Sequence, residues 1–506
     1  KPIYEQGGDL IMDLEDRGNR GDTMGIVGIA RDLAALTRTK LKYPREAKIP
    51  EINNEKIKPA IKVESEKVTR WIAVVFRNVK IAPSPEKIQK RLRSYGIEII
   101  NNIVDITNYV MIETGMPLHA FDTDKIDEII LRSAKKGETL ITFEGTRLTF
   151  DEDDIVAADS KNPMTLTTAV GGKETGISGS TTNILIEAGL YHQPTARRGA
   201  IKHNVRNETS ARLGKYLHPH YCEIALSRAI ELIKEITGVE CENISFDYYP
   251  NKDHEISVNL TQSRLNLISG EKIDLKEAED ILKRLEFGIL KGSSFDTKDD
   301  PSQELAVKVP YFRTDVTMED DLIEEVLRIR GYEIIPSYLP QQPAPPKLIF
   351  PAMNLENRIR NIMVKIGFNE VISQQIVDIK DSRKTEVINE EKVIKLQNSW
   401  NDELNILRPE FISPQLKYFI SYNQHAITPI RIFEIGKTYI KETGVGYDKY
   451  KEIRKVAITS DTGFYDLKGV LERLFEELGL DDMSFEKIDF PARRGPRITL
   501  IRSFLI

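Results

Sequence analysis

The chain has 506 residues, too many for a single hydrophobic core, and predicts three or four domains. Its composition, 40% apolar and 30% charged with no apolar run near the roughly eighteen residues of a span, excludes a membrane-embedded or disordered class. Two cysteines, Cys222 and Cys241, exclude a disulfide framework and suit a reducing cytoplasm, and a net charge of −6 excludes a surface basic throughout.

In chain order, residues 10–14 predict a strand, "EDRGNRGD" a loop and "TMGIVGIARDLAALT" (23–37) a helix. The Lys-, Glu- and Pro-rich stretch 43–59 reads as a linker. "RWIAVVFRNV" (70–79) is a β-rich run. In "SPEKIQKRLRSYG" (84–96), Ser84 suits the N-cap, Pro85 the first helical position and Gly96 the stop. From 97 to 250 short strands alternate with turns, closing on a helix over 221–238. There "IVDIT" reads as a buried strand and "GMPLHAF" as a turn presenting His119. A strand, a short helix and a turn lead to the helix 275–286, whose Leu275, Ala278, Ile281, Leu282 and Leu285 form one apolar face. The helix 318–330 follows, and the Pro-rich "PSYLPQQPAPPKLIFP" (336–351) marks the clearest boundary, a stiff spacer. Beyond it come a helix stopped by Gly367, strands over 429–440 and 455–460, and a helix over 466–479. The fold class expected is α+β multidomain, divided as 1–60, 61–252, 253–338 and 348–506.

Three stretches carry chemistry. Six carboxylates fall within residues 315–325, where the helix 318–330 begins. Acids in the first turn and Arg328 and Arg330 in the last complement a helix dipole; an oxygen-rich cluster also suits Mg²⁺. Spacing alone leaves both readings open. "TARRGAIKHNVRNETSARLGK" (195–215) sets Arg197, Arg198, Lys202, Arg206, Arg212 and Lys215 against Glu208, a strip that could track a phosphate backbone or be a solvated helix face. The Gly-rich "AVGGKETGISG" (169–179) has no Walker or G-x-G-x-x-G spacing and reads as turns allowing close backbone approach. His119 is read either as a satisfied structural histidine or as a functional one. Glu187, in the apolar run "NILIEAGLY", is either a strand-edge acid or a group that polarises water.

"VPYFRTDVTMEDDLIEEVLRIRGYEIIPSYLP" (309–340) resembles a segment of the phenylalanine–tRNA ligase beta subunits that reads approximately P-x-x-R-x-D, five residues, D-L-I-E-E-V-x-R-x-x-G-Y-x-x-I-P. "NRGDTMGIVGIARDLAAL" (19–36), "INNIVDITNYVMIETGMPLHAFDTDKI" (100–126), "LQNSWNDELNILRPEFISPQLKYFISYN" (396–423) and "IRIFEIGKTY" (430–439) resemble the same family in the same order. The resemblance implies an editing module of mixed α/β type, a small winged-helix-like module and a class II synthetase-like antiparallel sheet with helices. It implies a Mg²⁺ site at Asp315, Asp321, Glu324 and Glu325, shared with an alpha subunit. It also implies hydrolysis of mischarged Tyr-tRNA(Phe) at His119, Glu187, Asn207 and Thr209, with Arg197, Arg198, Lys202 and Arg206 binding tRNA. Here the chain departs from the family, because Asn207 and Thr209 stand at the usual Thr and Ala positions.

A class II core grips ATP with an F-R-x-E strand and a later G-x-G-x-x-R motif. Arg431 and Glu434 in "IRIFEIG" are a displaced relic of the first, and "PARRGPRITL" (491–500) does not supply the second. The resemblance therefore implies ATP bound by the alpha partner in a two-alpha, two-beta assembly. It also implies N-terminal oligonucleotide-binding-like and C-terminal anticodon-binding domains, for which this length leaves no room. The competing expectations are a non-catalytic RNA-binding scaffold of the same family and a free-standing metal-dependent hydrolase.

Overall fold

The computed structural model describes residues 3–6, 9–15, 18–167, 169–290, 303–339, 350–384, 388–401, 403–444, 446–480, 486–489 and 499–502. Two compact units, 1–338 and 339–506, divide within the Pro-rich stretch, whose residues 340–349 lie outside the described residues, as do 491–498. Mixed α+β structure with several sheets runs through both.

The first unit is built on a five-stranded sheet in the order Glu51–Ile52, Cys241–Tyr248, Val68–Phe76, Ile184–Tyr191, His119–Asp122. Val68–Phe76 and Ile184–Tyr191 are central, and their mostly apolar sequences, interrupted by Thr69, Arg70 and Glu187, follow from burial on both faces. The helices Asn102–Thr114 and His220–Thr237 pack on each other and on this sheet. A second sheet, ordered Val170–Gly171, Pro163–Leu166, Ile155–Ala158, Glu128–Ser133, Ala60–Val63, shares the same core through Ile61, Ile129, Leu131, Ile155 and Met164. Residues 43–59 do not run free as a linker. Glu51–Ile52 pairs parallel with Cys241–Tyr248, and Ala47 donates its backbone N–H to the Ser227 carbonyl.

Two local expectations are corrected. "IVDIT" belongs to the helix Asn102–Thr114, although its β-branched residues favour a strand. The Asn101 side chain accepts the Ile103 and Val104 N–H groups, and Ile103, Ile106 and Val110 bury at helical spacing. Tertiary burial overrides the β propensity. The helix predicted from Ser84 begins one residue later, at Glu86, with Pro85 as cap. Ser84 instead donates its hydroxyl to the buried Asp105 carboxylate at 2.6 Å.

The rest of this unit is an antiparallel sheet, Ser257–Thr261, Glu304–Lys308 and Gly288–Ile289, with the helices Gln262–Ser269, Leu275–Arg284 and Glu319–Arg330. The apolar face predicted on the 275–286 helix is buried there beside Leu322, Ile323 and Val326.

The second unit centres on the antiparallel pair Arg431–Lys441 and Tyr450–Ser460, with Asn369–Glu370 added in parallel. Ile359 and Met363 of the helix Pro351–Lys365, Val470 and Leu474 of Phe464–Leu478, and Phe433 form its core. Arg431 and Glu434 are three residues apart on a strand and so face opposite sides. Arg431 is bonded to Asp466, and the buried Glu434 to Arg408 at 2.6 Å and to Ser373.

Candidate functional site

Strand pairing brings His119 and Glu187 together. His119 opens the strand His119–Asp122, not the turn expected, and lies directly opposite Glu187 in the antiparallel register. Side chains so paired share a face, about 5 Å apart at Cβ. Glu187 is only 1% exposed and sits on a central strand, which corrects the edge reading. Its Oε2, the Trp71 indole and the Tyr191 hydroxyl all converge on Gly189, where a methyl group would meet them at 2.9, 2.6 and 3.0 Å. Glycine there leaves the carboxylate its room.

His119 stacks edge-on against Phe121, with ring centroids 4.6 Å apart. Burial pushes its pKa down to about 4, so the imidazole is neutral at neutral pH and keeps one nitrogen as acceptor. The Gly-rich stretch runs beside it. A methyl on Gly171 would lie 2.6 Å from His119 Cε1 and 3.2 Å from Phe143 Cε2, so this backbone is the floor against which the imidazole rests. Gly171→Val therefore displaces the ring. The expected result is a folded protein whose His119 NMR resonances shift and whose pKa rises towards an ordinary histidine value.

Asn207 and Thr209 stand at the start of a short neighbouring helix. Asn207 caps the helix Glu208–Leu213, accepting from Ser210 N–H at 2.8 Å, and donates from Nδ2 to the Ala169 carbonyl at 2.8 Å. It thus anchors the strand that carries Gly171. The Thr209 hydroxyl is directed at Met111 Sδ, 3.5 Å away. A cavity of ≈ 1020 Å³ lies elsewhere, lined by residues 9–15 together with Arg20, Tyr95 and Arg212, and includes none of these four residues.

The acidic stretch is largely matched within the chain. Asp315 receives two hydrogen bonds from Arg313, both 2.9 Å. Glu325, 2% exposed, is bonded to Arg313 at 2.5 Å and Arg328 at 2.6 Å. Asp321 accepts the Thr317 and Met318 N–H groups at the helix start. Glu319 accepts from Thr261, and Asp320 from Arg264. Among the described residues no three His, Cys, Asp or Glu side chains are arranged to hold a metal ion.

Three family models match in succession: the B3/4 domain over residues 67–238, the tRNA synthetase B5 domain over 258–332, and the phenylalanyl tRNA synthetase beta chain CLM domain over 335–494. The phenylalanine–tRNA ligase beta subunit of Clostridium acetobutylicum is 31% identical over 487 residues, covering 94% of this chain. Those of Carboxydothermus hydrogenoformans and Thermotoga maritima are each 30% identical over a like share. The chain belongs to the phenylalanine–tRNA ligase beta-subunit family. It spans 60% of the length of each of these curated relatives. A solved N-terminal fragment of the phenylalanyl-tRNA synthetase beta subunit from Pyrococcus horikoshii is a distant likeness, with TM-score 0.35 and 15% identity over 65% of this chain and 90% of that one.

In this family member the basic strip divides. Arg197 and Arg198, on the helix Gln193–Lys202, and Arg206 are exposed. Lys202 is partly neutralised by Asp151 and by Asp154 at 2.8 Å. Arg212 leaves the strip altogether. It is fully buried, donating to the Met24 carbonyl at 2.9 Å and pairing with Glu208. Its position in the sequence gave no sign of this, because the Met24 carbonyl comes from the far N-terminal helix region. Sequence reasoning also missed Trp71 and Phe143, each a lone aromatic without a periodic signal. No helix among the described residues is long and apolar enough to cross a membrane.

Proposed function

We propose that the chain serves as the tRNA-binding, proofreading beta subunit of a phenylalanine–tRNA ligase, hydrolysing Tyr-tRNA(Phe) at His119 and Glu187. The observation that carries this reading is the register, which sets a neutral imidazole opposite a carboxylate inside a folded sheet. A water held by His119 attacks the ester carbonyl carbon. The bond to the ribose oxygen breaks, and the water's proton passes by way of the imidazole to that leaving oxygen. Glu187, beside Trp71 and Tyr191, offers an acceptor to a phenol hydroxyl that phenylalanine lacks. A pocket that hydrogen-bonds a substrate hydroxyl discriminates against the analogue lacking it. Asn207 holds the Gly171 strand, and Thr209 narrows the approach from the helix side.

Arg197, Arg198 and Arg206, with Lys202 weakened by its acids, meet the tRNA phosphates. The 339–506 unit takes a class II synthetase-like role without an ATP grip, since Arg431 and Glu434 are engaged in ion pairs of their own. ATP is then bound by the alpha subunit of a two-alpha, two-beta cytoplasmic assembly. Mg²⁺ enters this reading only as an ion shared with that partner, met from this side by the partly exposed Asp321 and Glu324.

The test is hydrolysis of Tyr-tRNA(Phe) and Phe-tRNA(Phe) by the chain with its alpha partner. Glu187→Ala is expected to cut the preference for the tyrosyl ester by at least about tenfold. An unaltered preference removes Glu187 from recognition, and no hydrolysis by the wild type leaves the RNA-binding scaffold instead.

A further inference from the structure

The ring of Phe143 is held out to solvent beside His119. Phe143 sits at the tip of the hairpin Thr139–Ile141 and Arg147–Thr149, in a turn closed by Gly145 N–H donating to the Thr142 carbonyl, with Gly145 at φ +83°. That positive φ requires glycine and sets the direction of the turn. The tip is tied down, because Thr142 bridges Gly172 and Lys173 N–H donates to the Ile141 carbonyl at 3.0 Å.

Beneath the ring lies Gly176, where any Cβ would fall inside the Phe143 side chain. Gly176 is itself fixed, its carbonyl accepting from Lys125 Nζ at 2.8 Å. Yet Phe143 remains 53% exposed. The Cζ end of the ring therefore packs on a pinned glycine while about half of the side chain stays in water. A single methyl at Gly171 would touch both this ring and His119, so the two side chains border one site.

Resting on the proofreading reading, we infer that Phe143 is the stacking platform for the terminal base of the tRNA acceptor end. The tyrosyl side chain goes inward, to the buried Glu187. The part of the substrate that continues into solvent must pass the rim, where the aromatic face is open. A flat base has a π-face to offer there whatever its edge, and base–aromatic stacking is worth roughly tenfold in binding.

The test compares Tyr-tRNA(Phe) hydrolysis by wild-type chain, Phe143→Leu, Phe143→Trp and His119→Ala, each with the alpha partner. Leucine keeps apolar cover on Gly176 and removes the π-face, so the fold is preserved. The expected result is a KM about tenfold higher for Phe143→Leu with kcat within about twofold, and a near-normal KM for Phe143→Trp. A loss confined to kcat places the ring against the tyrosyl group and overturns base stacking. Unchanged KM in Phe143→Leu while His119→Ala is inactive overturns the platform alone. If His119→Ala hydrolyses as fast as wild type, the proofreading reading itself falls.

Discussion

Glu325→Ala is expected to lower the unfolding free energy of the first unit by about 3 kcal/mol, because it removes the buried carboxylate that Arg313 and Arg328 share and leaves each with a single acidic partner. Arg313, 3% exposed, would lose its partner on the helix, and Arg328 would keep only Asp32. Burial alone would raise the Glu325 pKa, but the Arg313 and Arg328 hydrogen bonds outweigh it and bring the carboxyl down to about 2. The folded pKa lies below the unfolded value of 4.5, so this group's stabilisation is fully present above that pH. It is lost as pH falls through 2, and amounts to about 3 kcal/mol. Urea unfolding of wild type and Glu325→Ala at pH 7 and near pH 2.5 checks both claims. The gap between the two proteins should narrow at acid pH. Equal midpoints at pH 7 would show that the arginines find other partners. Asp320→Ala, which breaks only the exposed pair with Arg264, should leave the midpoint nearly unmoved.

The second large effect concerns catalysis. His119→Ala should slow Tyr-tRNA(Phe) hydrolysis by about 10²- to 10⁴-fold, the range for removing a general base. The pH profile adds an independent check. With its pKa pushed down to about 4 by burial, the imidazole is deprotonated from pH 6 to 8. The His119-dependent rate should therefore be flat across that interval and fall only as pH approaches 4. An inflection near the ordinary histidine value would mean a solvated ring, and would separate it from the Gly171 floor.

Much of the helical framework was legible because its signals are local. Gly96 stops the helix Glu86–Tyr95, as expected, with the left-handed backbone that glycine accepts (φ +89°). The apolar spacing of Leu275, Ala278, Ile281 and Leu282 gave the right face of the right helix. The density of acids at 315–325 was visible, and so was the dipole reading, with Glu319, Asp320 and Asp321 in the first turn and Arg328 and Arg330 in the last. What no local signal could give was the answering arginines. Arg264 reaches Asp320 from the helix Gln262–Ser269, and Arg328 reaches back to Asp32.

The chain's own order of residues thus determined its family, its α+β character, most helix positions and the identity of the polar groups worth watching. Tertiary structure alone decided that His119 and Glu187 face each other, that Arg212 is buried, that "IVDIT" is helical, and that an exposed Phe143 borders His119. The physical reason is the same in each case. Strand register, burial and ion pairing are set between segments far apart in the chain, where one residue of slip would turn Glu187 to the other face of its sheet.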